Sequence, residues 1–457
     1  MTKQAPTPKS RARNAGRASL ACGLALLALT LPVFGTGLQV KDTTLGDGLR
    51  VVVYENHAAP VVNTEVWYRV GAYYEQSGYT GISHLLEHSM FNGTKAYPKG
   101  RYSELIEGFG GEENAFTSDR YTVYWANLSA DHYELEMKLE ADRMQNLLLD
   151  SAELERERNV VMEERRLGEN NPDDALWESF FATAFLTHPN HNPVIGWMDD
   201  IGRLHQSSVL AHYRKYYSPS NAVLCVVGDV QASKVFAQAA GCFGPIKSHP
   251  VSLWHPVEAE QRGERTFTVK RDVQTPAVMV GWHVPGVADP DFYTFEVLQS
   301  LLMRGVTSRL YNRIVYSGQK ALSVDGGNET EVDPGEFYVF AIPRSEQLID
   351  TVLQMVYAEI ETLKTLAVKD SELTRVKNQV IADFTFGQDD NGGLAYQIAR
   401  SYLLFGSVDY ANQYPTRISA VTAQDIMRAV KKYLVEDNRT VGRLLPSPAA
   451  DTSGEGK

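Results

Sequence analysis

The chain repeats itself at an interval of 216–217 residues, and this limits its fold more than any other feature. The stretch from Ala59 to Gly71 is echoed from Thr275 to Gly286, with Pro60 falling on Pro276. Near the end of each copy, Lys215-Tyr216 is echoed by Lys432-Tyr433 and Asn221 by Asn438. The helices expected just before these positions align as well, Leu204, Gln206 and Leu210 against Val421, Ala423 and Met427. Each copy runs from strand-like alternation through helical stretches to a late apolar strand. Two matched anchors at nearly one spacing mark a duplication. The fold class expected is therefore α+β, with two homologous domains, each a mostly antiparallel sheet with helices packed on one side. The first is expected over 39–246 and the second over 266–446. Between them, 247–265 carries Pro250, Pro256 and several charges, the composition of a linker. The end, 447–457, is rich in Ser, Pro, Gly and Asp and reads as a disordered tail.

At 457 residues a single core is not expected. Hydrophobic residues make up 43% and charged residues 22%, ordinary globular usage. The net charge is −12 and the body of the chain has no basic cluster, which argues against nucleic acid as a partner. The start is different. Lys3, Lys9, Arg11, Arg13 and Arg17 precede an apolar run from Ala18 to Phe34, the pattern of a secretory signal over 1–35. The protein is thus expected to be exported, to the periplasm in the first instance. An uncleaved N-terminal anchor is the alternative, though the run is short for a span. Cys22 falls in this leader, leaving Cys225 and Cys242. Cys225 lies in the apolar run Asn221–Gly228 and reads as a buried free thiol. Export permits a disulfide between the two, but nothing in the sequence requires one.

His84-Leu85-Leu86-Glu87-His88 is the stretch that carries chemistry. On a helix, positions four apart share a face, so His84 and His88 can address one metal ion. Glu87 lies near the same face and can reach a water on that metal without ligating it. The order His-x-x-Glu-His is the reverse of the commoner zinc-hydrolase order. A solvated surface helix could carry the same letters. The flanks, Ile82, Leu85, Leu86, Met90 and Phe91, instead surround the polar stripe with apolar residues, so it faces an interior or a cleft. Buried His and Glu need partners, and a metal supplies them. At the repeat offset the three positions become Ser300, Met303 and Arg304, so only the first half can hold a catalytic metal. The simplest role for the second half is to close over a substrate.

A catalytic zinc takes three protein ligands and keeps one open position. The third ligand is sought in Glu153–Arg166, a helical pattern with Leu154, Val161 and Leu167 near two-turn spacing. Glu157 and Glu164 are seven apart, two turns along one face. Glu164 suits the ligand and Glu157 a place behind it, steadying the ligands. A charged helical run is more often a solvated face, and the residues alone do not choose among Glu157, Glu163 and Glu164.

Together these motifs resemble the pitrilysin or insulinase family of zinc peptidases, family M16, most closely its short bacterial members related to the mitochondrial processing peptidase. Further matching segments are Gly110–Ser118 with Tyr121–Tyr124, Pro193–Trp197 and Tyr216–Val223. The resemblance spans roughly 40–446. It places the third ligand 76 residues after the second His, at Glu164. It implies one Zn2+ per chain on His84, His88 and Glu164, with Glu87 as general base and Glu157 supporting the site. It also implies that Asn114 and Ala115 lie on an exposed strand edge that pairs with the substrate backbone; from the residues alone they would be a plain strand entry. The implied substrates are unstructured peptides or protein segments, enclosed between paired two-domain chains in a homodimer or in a heterodimer with a paralogous subunit.

The sequence departs from the family at one point. Many members carry an Arg and a Tyr seven residues apart in the second half, near the substrate. Aligned on Leu310 and Val324, those positions fall on Val315 and Leu322. Arg309 and Tyr316 have the spacing but spoil the flanking pattern. Self-sufficient activity is accordingly in question. The competing expectations are a non-catalytic or partner-dependent assembly subunit, and a zinc hydrolase of non-peptide substrates.

Overall fold

The computed structural model describes residues 37–447. The leader expected over 1–35, and all but the first residue of the tail expected over 447–457, lie outside these residues.

The first half contains β1 (Lys41–Thr44), β2 (Arg50–Glu55), β3 (Val61–Tyr68), α1 (Ile82–Ser89) and α2 (Arg101–Gly108). It continues through β4 (Glu112–Thr117), β5 (Thr122–Ser129), α3 (Glu134–Asn146), α4 (Ser151–Asn170) and α5 (Pro172–Ala184). It closes with α6 (Met198–Arg203), α7 (Gln206–Tyr216), β6 (Ala222–Gly228) and α8 (Ala232–Phe243). Residues 247–264 form neither helix nor strand. The second half contains β7 (Arg265–Arg271), β8 (Ala277–Val284), α9 (Asp291–Met303), β9 (Ala321–Glu329) and β10 (Gly335–Pro343). It ends with α10 (Ile349–Thr365), α11 (Asp370–Phe386), α12 (Asn391–Phe405), α13 (Asp409–Ala420), α14 (Ala423–Tyr433) and β11 (Arg439–Pro446).

The first sheet has the order β1-β2-β6-β3-β5-β4 and the second β7-β11-β8-β10-β9. Matching β2 with β7, β6 with β11 and so on makes the two orders identical, with β1 as the extra strand. In both sheets the late strand runs parallel to the first of the matched strands and antiparallel to the next. All other pairings are antiparallel. The repeated asparagines explain one anchor of the duplication. Asn221 donates from Nδ2 to the carbonyls of Tyr216 and Arg69, and Asn438 donates to those of Tyr433 and His283. Each ties the end of a helix to the strand beside it.

Strand alternation gives each sheet two faces. On one face of the first sheet, Val62, Val66 and Tyr68 pack with Leu85, Leu86, Met137, Val209 and Phe243 from its own helices. The other face, with Val52, Trp67, Val123 and Cys225, is closed by Leu394, Ala395 and Ile398 of α12, a helix of the second half. The second sheet mirrors this: Ala277, Met279 and Leu444 lie under Leu176, Phe180 and Ala184 of α5, a helix of the first half. α5 and α12 are counterparts in the repeat. Each half thus keeps its own helices on one side, as the sequence predicts, and receives one helix from the other half on the opposite side. Each large aliphatic side chain buried this way contributes about 1.5–3 kcal/mol. Cys225, beneath α12, and Cys242, on α8, are both free thiols. Among the described residues no helix is long and apolar enough to cross a membrane.

Candidate metal centre

The start of α1 is built by close backbone contact. Gly81 precedes the helix with φ +82°, and a Cβ there would meet the Ile195 carbonyl oxygen at 2.3 Å. Facing it, Gly196 has φ +87°, and a Cβ would meet the Gly81 nitrogen at 2.5 Å. Glycine alone satisfies both demands. Gly81 cannot cap the helix with a side chain, and Glu75 does so from a distance. Its Oε2 accepts from the Gly81 N–H at 2.7 Å and its Oε1 from the Ser83 N–H at 2.8 Å. Thr80 Oγ1 donates to Asp200 at 2.7 Å and accepts from the Trp197 N–H at 3.0 Å.

From this start, α1 presents His84 and His88 on one face, their rings 4.8 Å apart. α4 packs against α1 and brings Glu164 to them. Glu164 Oε2 lies 3.6 Å from His88 Nε2 and 4.0 Å from His84 Nε2. One donor atom from each of the three lies within 4.8 Å of the others, the one group of this kind among the described residues. Burial, with His88 second, holds the His84 imidazole down at about 4. It is therefore neutral at pH 7, the form that ligates metals. Two imidazole nitrogens and one carboxylate oxygen suit zinc, whose ligand atoms lie about 3.3 Å apart at its usual bond lengths. A small inward movement would bring these three to that spacing.

Glu157 sits one layer back, its Oε2 3.9 Å from His88 Nδ1. Its Oε1 accepts from Lys99 Nζ at 3.1 Å. Glu163 takes no part; it pairs with Arg166 on the exposed side of α4. Of the three glutamates that the sequence leaves open, Glu164 is the one that belongs to this group of donor atoms.

Glu87 is buried on the same helix. Burial raises its carboxyl above the ordinary value, while the Thr117 hydroxyl, donating to Oε2 at 2.6 Å, opposes that rise. Thr117 ends β4, the edge strand of the sheet. Asn114 and Ala115 lie on this strand, hydrogen-bonded to β5 on one side only. Asn114 is exposed and Ala115 half-buried. Just beyond Thr117, a cavity of about 1110 Å³ opens between the halves, with Arg120, Arg165, Trp177, Glu331, Asp333 and Arg400 in its walls. Arg120 pairs with Asp333 at 2.6 Å and with Glu331 at 3.6 Å, tying the halves together, and Arg400 pairs with Glu331 at 2.8 Å within the second half. Sequence reasoning missed Glu75 and Thr117. Thr117 sits within the matched segment Gly110–Ser118, which was the available signal.

In the second half, Arg309 is held by bonds to Glu372 at 2.6 and 2.9 Å and to Glu359 at 3.1 Å. Tyr316 is 72% exposed. Residues Tyr311–Tyr316 form a π-helix, whose wider turn removes the common face that a seven-residue spacing implies in an α-helix. Leu322 is exposed at the start of β9, and Val315 packs partly against the second core.

Comparison with known proteins accords with this architecture. The family described as "Insulinase (Peptidase family M16)" matches residues 50–196, and "Peptidase M16 inactive domain" matches 203–380. The second match begins ahead of α7 and β6, which in space complete the first half. A relative named "Zinc protease PqqE" from Helicobacter pylori is 30% identical over 89% of this chain and 93% of its own. A probable mitochondrial-processing peptidase subunit beta from Arabidopsis thaliana is 26% identical over 89% of this chain and 78% of its own. The crystal structure of a protease from Helicobacter pylori superposes with a TM-score of 0.85 at 30% identity, covering 90% of this chain and all of that one. The chain belongs to peptidase family M16, the insulinase family.

Proposed function

We propose that the chain is a zinc-dependent endopeptidase acting on unstructured peptides or protein segments. The observation that carries this reading is the convergence of His84, His88 and Glu164, with the Glu87 carboxyl on the same helix. Bound zinc would polarise the scissile carbonyl and acidify a water. Glu87 would take the proton of the attacking water and pass it to the leaving amine. Thr117 holds one oxygen of Glu87, leaving the other for that task. Glu157 steadies His88 from behind. The free edge of β4, at Asn114 and Ala115, would take the peptide as an added strand, which gives binding with little sequence preference. The exported location expected from the leader is part of this proposal.

One observation favours partner dependence as a second reading. Val315 and Leu322 stand where many relatives carry their substrate-contacting Arg and Tyr, and Arg309 is occupied by Glu372 and Glu359. A paralogous second chain would then enclose the substrate together with this one and supply the missing contacts, which a homodimer would lack. Elemental analysis of the purified chain, followed by digestion of an unstructured peptide library with and without a paralogous subunit, tests both readings. Stoichiometric zinc with cleavage is expected. Absence of zinc from the intact protein sinks the first reading, and full turnover by the single chain sinks the second.

A further inference from the structure

The loop before α1 contains a group that the proposed chemistry does not use. Glu75 is buried, and among the described residues no Lys, Arg or His lies within ion-pair distance of it. A buried carboxylate without a cation is costly, and such groups persist where hydrogen bonds hold them. Here the hydrogen bonds are the Gly81 and Ser83 N–H groups, two of the donors that the first turn of a helix leaves unmatched. The positive end of the helix dipole adds to them. Burial still pushes the carboxyl up to about 7, with Asp119 adding a smaller like-charge contribution.

The same helix start is clamped from a second direction. Thr80 is bound to Asp200 of α6, and Trp197 just before α6 takes the Arg165 guanidinium over its ring at 5.5 Å. Arg165 follows Glu164. The segment Ile195–Asp200 therefore touches both the start of α1 and the helix that carries the third donor. His84 lies one residue beyond Ser83, so a shift of the first turn moves it directly, and ligand positions must hold within about 0.5 Å for a working site.

We propose that Glu75 is a positioning residue: its carboxylate, by capping α1 from outside the helix, sets where His84 and His88 stand relative to Glu164. This rests on the metallopeptidase reading only for its consequence, not for the cap itself.

The test uses the full chain with Glu75→Ala and Glu75→Gln. Gln keeps one acceptor oxygen of the two. In the metal-free protein, amide hydrogen exchange at 81–88 should accelerate at least tenfold in Glu75→Ala, with protection in β3, β5 and β6 retained and Glu75→Gln in between. Zinc affinity, read by chelator competition, should fall about tenfold in Glu75→Ala, the low end for residues that orient ligands. Unchanged exchange at 81–88 overturns the proposal, and so does acceleration spread evenly over both halves. If the unmodified chain takes up no zinc, the peptidase reading falls, while the exchange result alone still decides what Glu75 does.

Discussion

Thr117 Oγ1 lies 2.6 Å from Glu87 Oε2, much closer than the 3.4 Å that separates it from its other hydroxyl neighbour, Thr122 Oγ1. A carboxylate oxygen only accepts, so Thr117 serves as the donor to Glu87, while the Thr122 hydroxyl donates to the Val70 carbonyl at 2.9 Å. The last residue of the edge strand β4 thereby orients the proposed general base. Thr117→Val preserves shape and removes the donor. A hydrogen bond to a charged group contributes about 1.5–3 kcal/mol, so kcat should fall roughly 10- to 100-fold. Zinc content should not change. Steady-state kinetics beside elemental analysis checks both halves of the statement.

On the proposed function the donor set divides into metal holders and a proton carrier. His84→Ala and His88→Ala should abolish zinc binding with the fold retained. Glu164→Gln should weaken metal affinity. Glu87→Gln should keep zinc and lose roughly 10²–10⁴-fold in turnover. Near-stoichiometric zinc in purified His88→Ala would refute the ligand assignment. Zinc loss in Glu87→Gln with retention in Glu164→Gln would reverse the two roles.

Glu157 stands behind His88 and is itself held by Lys99. Glu157→Gln should lower zinc affinity about 10- to 100-fold, as removal of ligand-orienting groups does. Competition with a chelator of known affinity measures it. An unchanged dissociation constant would return Glu157 to the status of a surface ion pair.

Arg309 is bound to Glu372 and Glu359, which makes it a structural residue of the second half. Arg309→Ala should cost about 1–3 kcal/mol of stability, leaving Glu372 without its cation while Glu359 keeps Arg313 at 2.9 Å. The kcat/KM of the folded fraction should stay as it was. A selective rise in KM for peptides at unchanged melting temperature would make Arg309 a substrate contact after all.

Glu65 gives a pH signature. Burial raises its carboxyl from 4.5 to about 8, against the opposing effect of the Trp67 Nε1–H it accepts from at 2.6 Å. Between those values the folded chain keeps a proton that the unfolded chain releases, so stability falls as pH rises. Each pKa unit is worth about 1.4 kcal/mol. Glu65→Gln removes the ionisation, so its melting temperature should gain on the unmodified chain progressively from pH 5 to pH 8. Parallel pH dependence of the two proteins would contradict this.

Much of the site was legible because it is local. His84, Glu87 and His88 lie on one helix, and helical spacing alone puts them on one face. Glu164 needed the resemblance, since nothing in a charged helix says which glutamate turns inward; its packing on α1 and the pairing of Glu163 with Arg166 decide that. Glu75 was invisible because its partners are backbone N–H groups, which leave no mark in a sequence. Arg309 and Tyr316 have a seven-residue spacing that the flanking pattern already disfavoured, and the π-helix over Tyr311–Tyr316 changes the pitch between them. α12 shows an apolar stripe, Leu394, Ile398 and Tyr402, but burial has no direction, and the stripe alone cannot name the sheet it will cover.

That exchange of α5 and α12 makes the duplicated halves hostages to each other. Cutting the backbone within 247–264 should leave two fragments that stay clasped, while either fragment produced alone would expose a bare sheet face and precipitate. The same clasp removes one route for admitting a substrate: the halves cannot swing apart without stripping both faces. On the proposed function, a peptide would reach β4 against a body whose halves stay together, and any closure around it would come from a second chain.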